Sequence, residues 1–157
     1  MIRQFEPNQQ KQLTDFVLGI QNGEFGLGFK DDEQIDLINT SEFYKDGGFW
    51  IAEIDNKIIG CIGLQKLNSK TGVLRKMFVQ KELRGKELNI AQNLFDKLKD
   101  EAINLGFEKL LLDTPSVAEA SHSFYRRNGF NEIGKAEIPR DYTFPDRDSK
   151  IFKLKLN

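Results

Sequence analysis

The stretch from residue 49 to residue 79 leaves the fewest ways to fold. Three runs rich in strand-forming residues, 49–54, 57–67 and 71–79, are separated only by Asp55-Asn56 and by Asn68-Ser69-Lys70. Connections that short reverse the chain but cannot carry it across a sheet, so the runs predict an antiparallel meander. Gly60 and Gly63 interrupt the middle run and suit bulges or close approach of a neighbouring element. The hydrophobic period then changes. Ile90, Ala91, Leu94, Phe95, Leu98, Ala102 and Leu105 form a helical stripe, stopped by Gly106 at the C′ position. Leu110-Leu111-Leu112 follows as a short, wholly apolar strand, the pattern of a strand covered on both faces.

The flanks are consistent with that centre. Leu13, Phe16, Val17 and Ile20 give residues 8–22 the spacing of an amphipathic helix, ended by Gly23. Residues 23–29 read as a loop, and Asp31 or Asp32 is placed to cap a second short helix through about Asn39. A helix is predicted from about Pro115 to Arg127, closed by Asn128-Gly129. Residues 130–138 and 149–156 are the last two strands, around a polar loop at 139–148. With 157 residues and no internal repeat or linker, the expectation is a single mixed α/β domain over residues 1–157.

Composition removes several classes of function. Charge is nearly balanced, with 23 basic and 24 acidic residues and no long run of one sign. A general nucleic-acid or membrane-surface role therefore has no electrostatic support. No apolar run is long enough to span a bilayer, and Met1-Ile2-Arg3-Gln4-Phe5-Glu6-Pro7 lacks a secretory core. Cys61 is the only cysteine and cannot form an internal disulfide, which favours a reducing, cytoplasmic setting. One histidine and one cysteine also argue against a metal site or a Cys-His pair.

Chemistry is suggested by the order strand, then Leu83-Arg84-Gly85-Lys86-Glu87-Leu88-Asn89-Ile90-Ala91, then helix. A helix start offers unpaired N–H groups and partial positive charge, both favourable to an anion such as a pyrophosphate. Arg84 and Lys86 add charge there. A second element stands at the end of the next helix, Phe124-Tyr125-Arg126-Arg127-Asn128-Gly129-Phe130.

With Leu74-Arg75-Lys76-Met77-Phe78-Val79 ahead of them, these segments resemble the GNAT superfamily of acetyl-CoA-dependent N-acetyltransferases in order and spacing. The likeness covers nearly the whole chain. Gly28-Phe29, Phe49-Trp50 and Leu112-Asp113-Thr114 look like a common bacterial subgroup. It implies a central mixed, mostly antiparallel sheet of about seven strands flanked by four helices, splayed between the fourth and fifth strands. The family loop reads Arg/Gln-x-x-Gly-x-Gly/Ala. Started at Arg84, it puts Glu87 and Asn89 at glycine positions; started at Lys86, only Asn89 departs and Ala91 matches. The second register is preferred, because Asn tolerates left-handed backbone well.

The resemblance also implies roles. Acetyl-CoA is the co-substrate. Residues 84–91 (Arg84, Gly85, Lys86, Glu87, Leu88, Asn89, Ile90 and Ala91) hold its pyrophosphate, and the backbone of Met77, Phe78 and Val79 holds the pantetheine arm and polarises the acetyl carbonyl. Tyr125 is the expected general acid for the departing thiolate. The family's usual Glu base is replaced by Val73, which leaves Glu53, Asp113 or a water relay, with His122 as a relay candidate. Arg126 or Arg127 meets the 3′-phosphate, with Arg127 favoured. Phe25, Phe29 and Trp50 are expected to wall a site for a small-molecule or peptide amine, and a homodimer is left open.

Overall fold

The computed structural model describes residues 1–30, 32–85, 88–142 and 148–156. An N-terminal strand that the periodicity did not announce, β1 (Ile2–Gln4), pairs antiparallel with β2 (Gly48–Ile54). Then β3 (Lys57–Asn68) and β4 (Thr71–Val79) complete the meander. Asp55 and Asn56 both hold positive φ, 53° and 63°, as the tight turn between β2 and β3 requires. Residues β5 (Lys109–Pro115), β6 (Asn131–Ile133) and β7 (Ser149–Lys155) extend the sheet to seven strands in the order β1-β2-β3-β4-β5-β7-β6. Among the described residues only the β4–β5 pairing is parallel.

Helices cover both faces. On one lie α1 (Gln10–Leu18), which continues as a π-turn over Gly19–Glu24, then α2 (Ile35–Ile38) and α3 (Thr40–Phe43). They bury Leu13, Val17, Leu37, Tyr44, Phe49, Ile51 and Cys61. On the other face α4 (Ile90–Asn104) and α5 (Glu119–Arg127) cover a larger core that includes Leu94, Leu98, Phe107, Leu110 and Phe152. Gly60 lets α4 approach the sheet: a Cβ there would sit 3.1 Å from Leu94 and 3.2 Å from Ile90.

Three boundaries differ from the sequence reading. The expected short helix is two single turns broken at Asn39, whose side chain accepts from the Glu42 N–H and restarts the chain as α3; Asp31 lies outside the described residues, and Gln34, not Asp32, stands at the cap position of the first turn. Pro115 ends β5 instead of opening α5. It stays in register with Ser149, and the Ser116 N–H bonds to the Asp148 carbonyl; a turn at 116–117, closed by the Ala118 N–H on the Pro115 carbonyl, then leads into α5. The strand predicted over 130–138 pairs only through Ile133, after which residues 135–137 form a 3-10 turn.

Candidate active site

The parallel pairing of β4 with β5 is confined to Thr71–Lys109, Gly72–Leu110 and Val73–Leu111. β4 then stays with β3 while β5 stays with β7, and the sheet opens into a slot between residues 74–79 and 112–115. β4 carries a bulge at the slot. Its register against β3 passes from Gly63–Arg75 to Cys61–Phe78, so Lys76 and Met77 stand opposite Ile62 alone. Lys76 occupies the bulge with φ 53°, a conformation costing a non-glycine residue roughly 1–2 kcal/mol. The extra residue inverts the side-chain phase. Leu74, Met77 and Val79 pack against the α4 core, whereas Phe78 packs against the α1 core and Lys76 reaches α2. The Gln80 N–H bonds to the Ile59 carbonyl on β3, so strand alternation turns the Val79 N–H toward the slot.

At the mouth of the slot the loop after β4 makes one 3-10 turn at Lys81–Leu83 and passes Gly85, whose φ of 124° only glycine adopts readily. Lys86 and Glu87 lie outside the described residues. Leu88 is exposed, while Ile90 is buried and Ala91 packs on the core. Asn89 takes the left-handed conformation, φ 55° and ψ 31°, and caps α4 without a side-chain hydrogen bond. No acidic residue stands in the first turn of α4. Among the described residues the Asn89 cap adds no side-chain hydrogen bond to the leading N–H groups, and a helix start of that kind suits a pyrophosphate. Arg84 is engaged elsewhere. Its guanidinium forks onto the Glu24 carboxylate at 2.6 and 2.8 Å, and Nε donates to the Val79 carbonyl at 2.8 Å. Arg84 in turn holds the Glu24 carboxyl below the usual range.

Tyr125 projects from α5 into the same region. It is buried among Phe124, Phe130 and Phe152, and its hydroxyl lies 3.9 Å from the Met77 sulfur. Burial, and secondarily the Asp113 carboxylate, push its ionisation well above the ordinary phenol value. Asp113, on β5, accepts a short hydrogen bond from the Tyr142 hydroxyl and lies 3.8 Å from Arg75 Nη1. Gln92 on α4 donates to Asn128 at the end of α5 (2.8 Å), which ties α4 to the helix bearing Tyr125.

The remaining expected residues separate. Glu53 is held by Arg3 and by Gln9 (3.0 Å) at the N-terminal edge, with its pKa lowered chiefly by the Arg3 hydrogen bond. Buried His122 donates from Nε2 to the Pro115 carbonyl at 2.9 Å, a tie between α5 and β5. Arg126 is occupied by Glu132 (3.5 Å) and the Phe152 ring, whereas Arg127 is exposed at the end of α5. Phe25 is exposed and Phe29 is pinned through its backbone by Asn22, both in the loop after α1. Trp50 is not beside them: alternation along β2 sends Phe49 and Ile51 toward α1 but buries Trp50 under α4. Arg75, Lys76, Asp36 and Tyr142 were missed. Their roles depend on the bulge and on a loop folded back over β5, neither of which leaves a periodic signal. Among the described residues no cluster of His, Cys, Asp and Glu converges as a metal site would.

The chain matches the description of the acetyltransferase (GNAT) family over residues 14–130. Its structure is similar to the crystal structure of an acetyltransferase from Streptococcus agalactiae 2603, with 36% sequence identity and a TM-score of 0.93 over 99% of this chain and 97% of that one. A probable N-acetyltransferase camello from Xenopus tropicalis is 27% identical over 138 residues, 81% of this chain and 62% of the relative. An N-acetylaspartate synthetase from Danio rerio is 32% identical over 98 residues, 62% of this chain and 33% of the relative. The chain thus spans less than two thirds of the length of either curated relative.

Proposed function

The chain belongs to the acetyltransferase (GNAT) family, and from that premise we propose that it transfers an acetyl group from acetyl-CoA to a primary amine. The acceptor is a small molecule or a peptide amine, attacking directly while both substrates are bound. The observation that carries this reading is the slot itself: a bulged β4 edge, an uncapped helix start and a buried tyrosine converge on one opening. Acetyl-CoA supplies an activated acyl group on a thiol leaving group.

The first turn of α4, with Gly85, Lys86, Glu87, Leu88, Asn89, Ile90 and Ala91, holds the pyrophosphate, and Arg127 meets the 3′-phosphate. Arg84 supports that loop by fastening it to Glu24. Backbone groups of Met77, Phe78 and Val79 line the pantetheine path, and N–H groups beyond the bulge meet the negative charge that develops on the carbonyl oxygen. Tyr125 gives its phenolic proton to the sulfur as the C–S bond breaks, and its raised pKa keeps that proton on the hydroxyl beforehand. Asp113 is favoured over Glu53 as the group that takes the amine proton, directly or through water. It is the carboxylate felt by Tyr125, whereas Glu53 is committed to Arg3. Phe25 and Phe29 border the acceptor side.

We read residues 1–157 as one such domain working in the cytoplasm; the buried, unpaired Cys61 supports a reducing setting. The name of the N-acetylaspartate synthetase relative supports a small amine acceptor. The test is release of free CoA thiol from acetyl-CoA against a panel of amino acids, polyamines and peptide N-termini, with calorimetry for acetyl-CoA. Binding together with amine-dependent thiol release is expected. Binding with no release on any amine would leave only an acyl-CoA-binding domain.

A further inference from the structure

Lys76 is, among the described residues, the one non-glycine residue inside a strand with left-handed backbone. A bulge alone would be served with less strain by Gly or Asn. What the lysine adds at that position is its side chain. That side chain turns away from solvent, and its ammonium lies 3.2 Å from Asp36 Oδ2. Asp36 is itself buried on α2 and accepts from the Tyr44 hydroxyl at 2.7 Å. The backbone of Lys76 is tied as well. The buried Cys61 thiol on β3 donates to its carbonyl at 3.1 Å. Burial keeps that thiol protonated and able to donate. Buried ion pairs add little net stability against apolar packing, and their best-attested use is to fix register. Here the register being fixed is that of the two-against-one bulge at the slot.

We infer that Asp36, acting through Lys76, is a positioning residue for acetyl transfer: the Asp36–Lys76–Tyr44 cluster sets the β4 bulge and so aims the backbone N–H groups after it at the carbonyl of acetyl-CoA. The inference rests on the cofactor reading proposed above. Asp36 touches neither substrate. It sets a direction, and its loss leaves the pyrophosphate contacts at the start of α4 intact.

The readout is the infrared carbonyl stretch of acetyl-CoA labelled with carbon-13 at the thioester carbonyl, recorded free and bound. Calorimetry on the same samples gives affinity. In the unaltered protein the stretch moves to lower frequency on binding. Asp36→Asn and Lys76→Met bind acetyl-CoA within about threefold of the parent but lose most of that shift, and kcat on any active amine falls about tenfold to a hundredfold. The double variant loses no more than either single one, because the pair acts as a unit. Tyr44→Phe, which spares the ion pair, loses a smaller part and serves if a pair variant fails to fold. A full shift retained in Asp36→Asn and Lys76→Met, or in Tyr44→Phe when it alone folds, overturns this inference alone. Absence of acetyl-CoA binding by the unaltered protein overturns the cofactor reading and this inference together.

Discussion

Tyr125 was legible as a residue because it stands at a fixed distance before Gly129-Phe130. What it needs around it was not, since burial and the field of Asp113 arise from three elements meeting. Tyr125→Phe should lower kcat more than tenfold with little change in acetyl-CoA affinity, measured by thiol release and calorimetry. An unchanged kcat removes the role. Because the folded-state pKa of Tyr125 is raised, the hydroxyl stays protonated as pH rises through neutrality. The profile of kcat should climb with amine deprotonation and show no falling limb from tyrosine below about pH 10. Cys61, legible only as unpaired, proves fully buried with its thiol pushed up by desolvation. A thiol reagent should find no reactive cysteine in the native protein and one after denaturation. Lys76 was illegible for a definite reason: one inserted residue reverses which face every later side chain takes, and composition does not record it.

Among the elements, the meander and the α4 stripe were readable because short turns and a 3.6-residue period are local properties. β1 was not, since three residues with one apolar side chain among them become a strand only by pairing with β2. The α4 cap was read from one residue, and Asn89 does hold the left-handed turn expected of it. Asn89→Gly should keep α4 and stabilise the fold by up to about 1 kcal/mol, while Asn89→Val should cost about that much or more, seen in thermal melts. The clasp between Arg84 and Glu24 joins the loop after β4 to the end of α1, sixty positions away. The folded-state pKa of Glu24 is depressed, so its contribution is full above about pH 4.5 and is lost as pH falls through the lower folded value. Glu24→Gln should flatten that part of the acid-unfolding curve.

At the scale of the molecule, the mixed fold with its opening between β4 and β5 was legible by resemblance, but the strand order was not derivable from periodicity. Nothing in residues 109–155 says that β7 inserts between β5 and β6, because pairing partners across a sheet are chosen by shape and packing over the whole core. No helix among the described residues is long and apolar enough to cross a membrane. The insertion makes β7 indispensable. Deleting residues 149–156 should leave β5 without its antiparallel neighbour and remove Phe152 from the α5 core, giving a chain without a cooperative thermal transition.

That late insertion also has a meaning in time. Strands β1 to β4 can all be paired once residue 79 is made, and β5 can join β4 over three residues, whereas its other edge waits for β7, which ends forty positions beyond Pro115. At ~5–20 residues per second a ribosome needs about 2–8 s to supply them. Throughout that interval the nascent chain has one wall of the slot and an unpaired edge where the other belongs. The complete slot should form only once Lys155 has left the ribosome, and until then the edge of β5 that faces β7 stays unpaired.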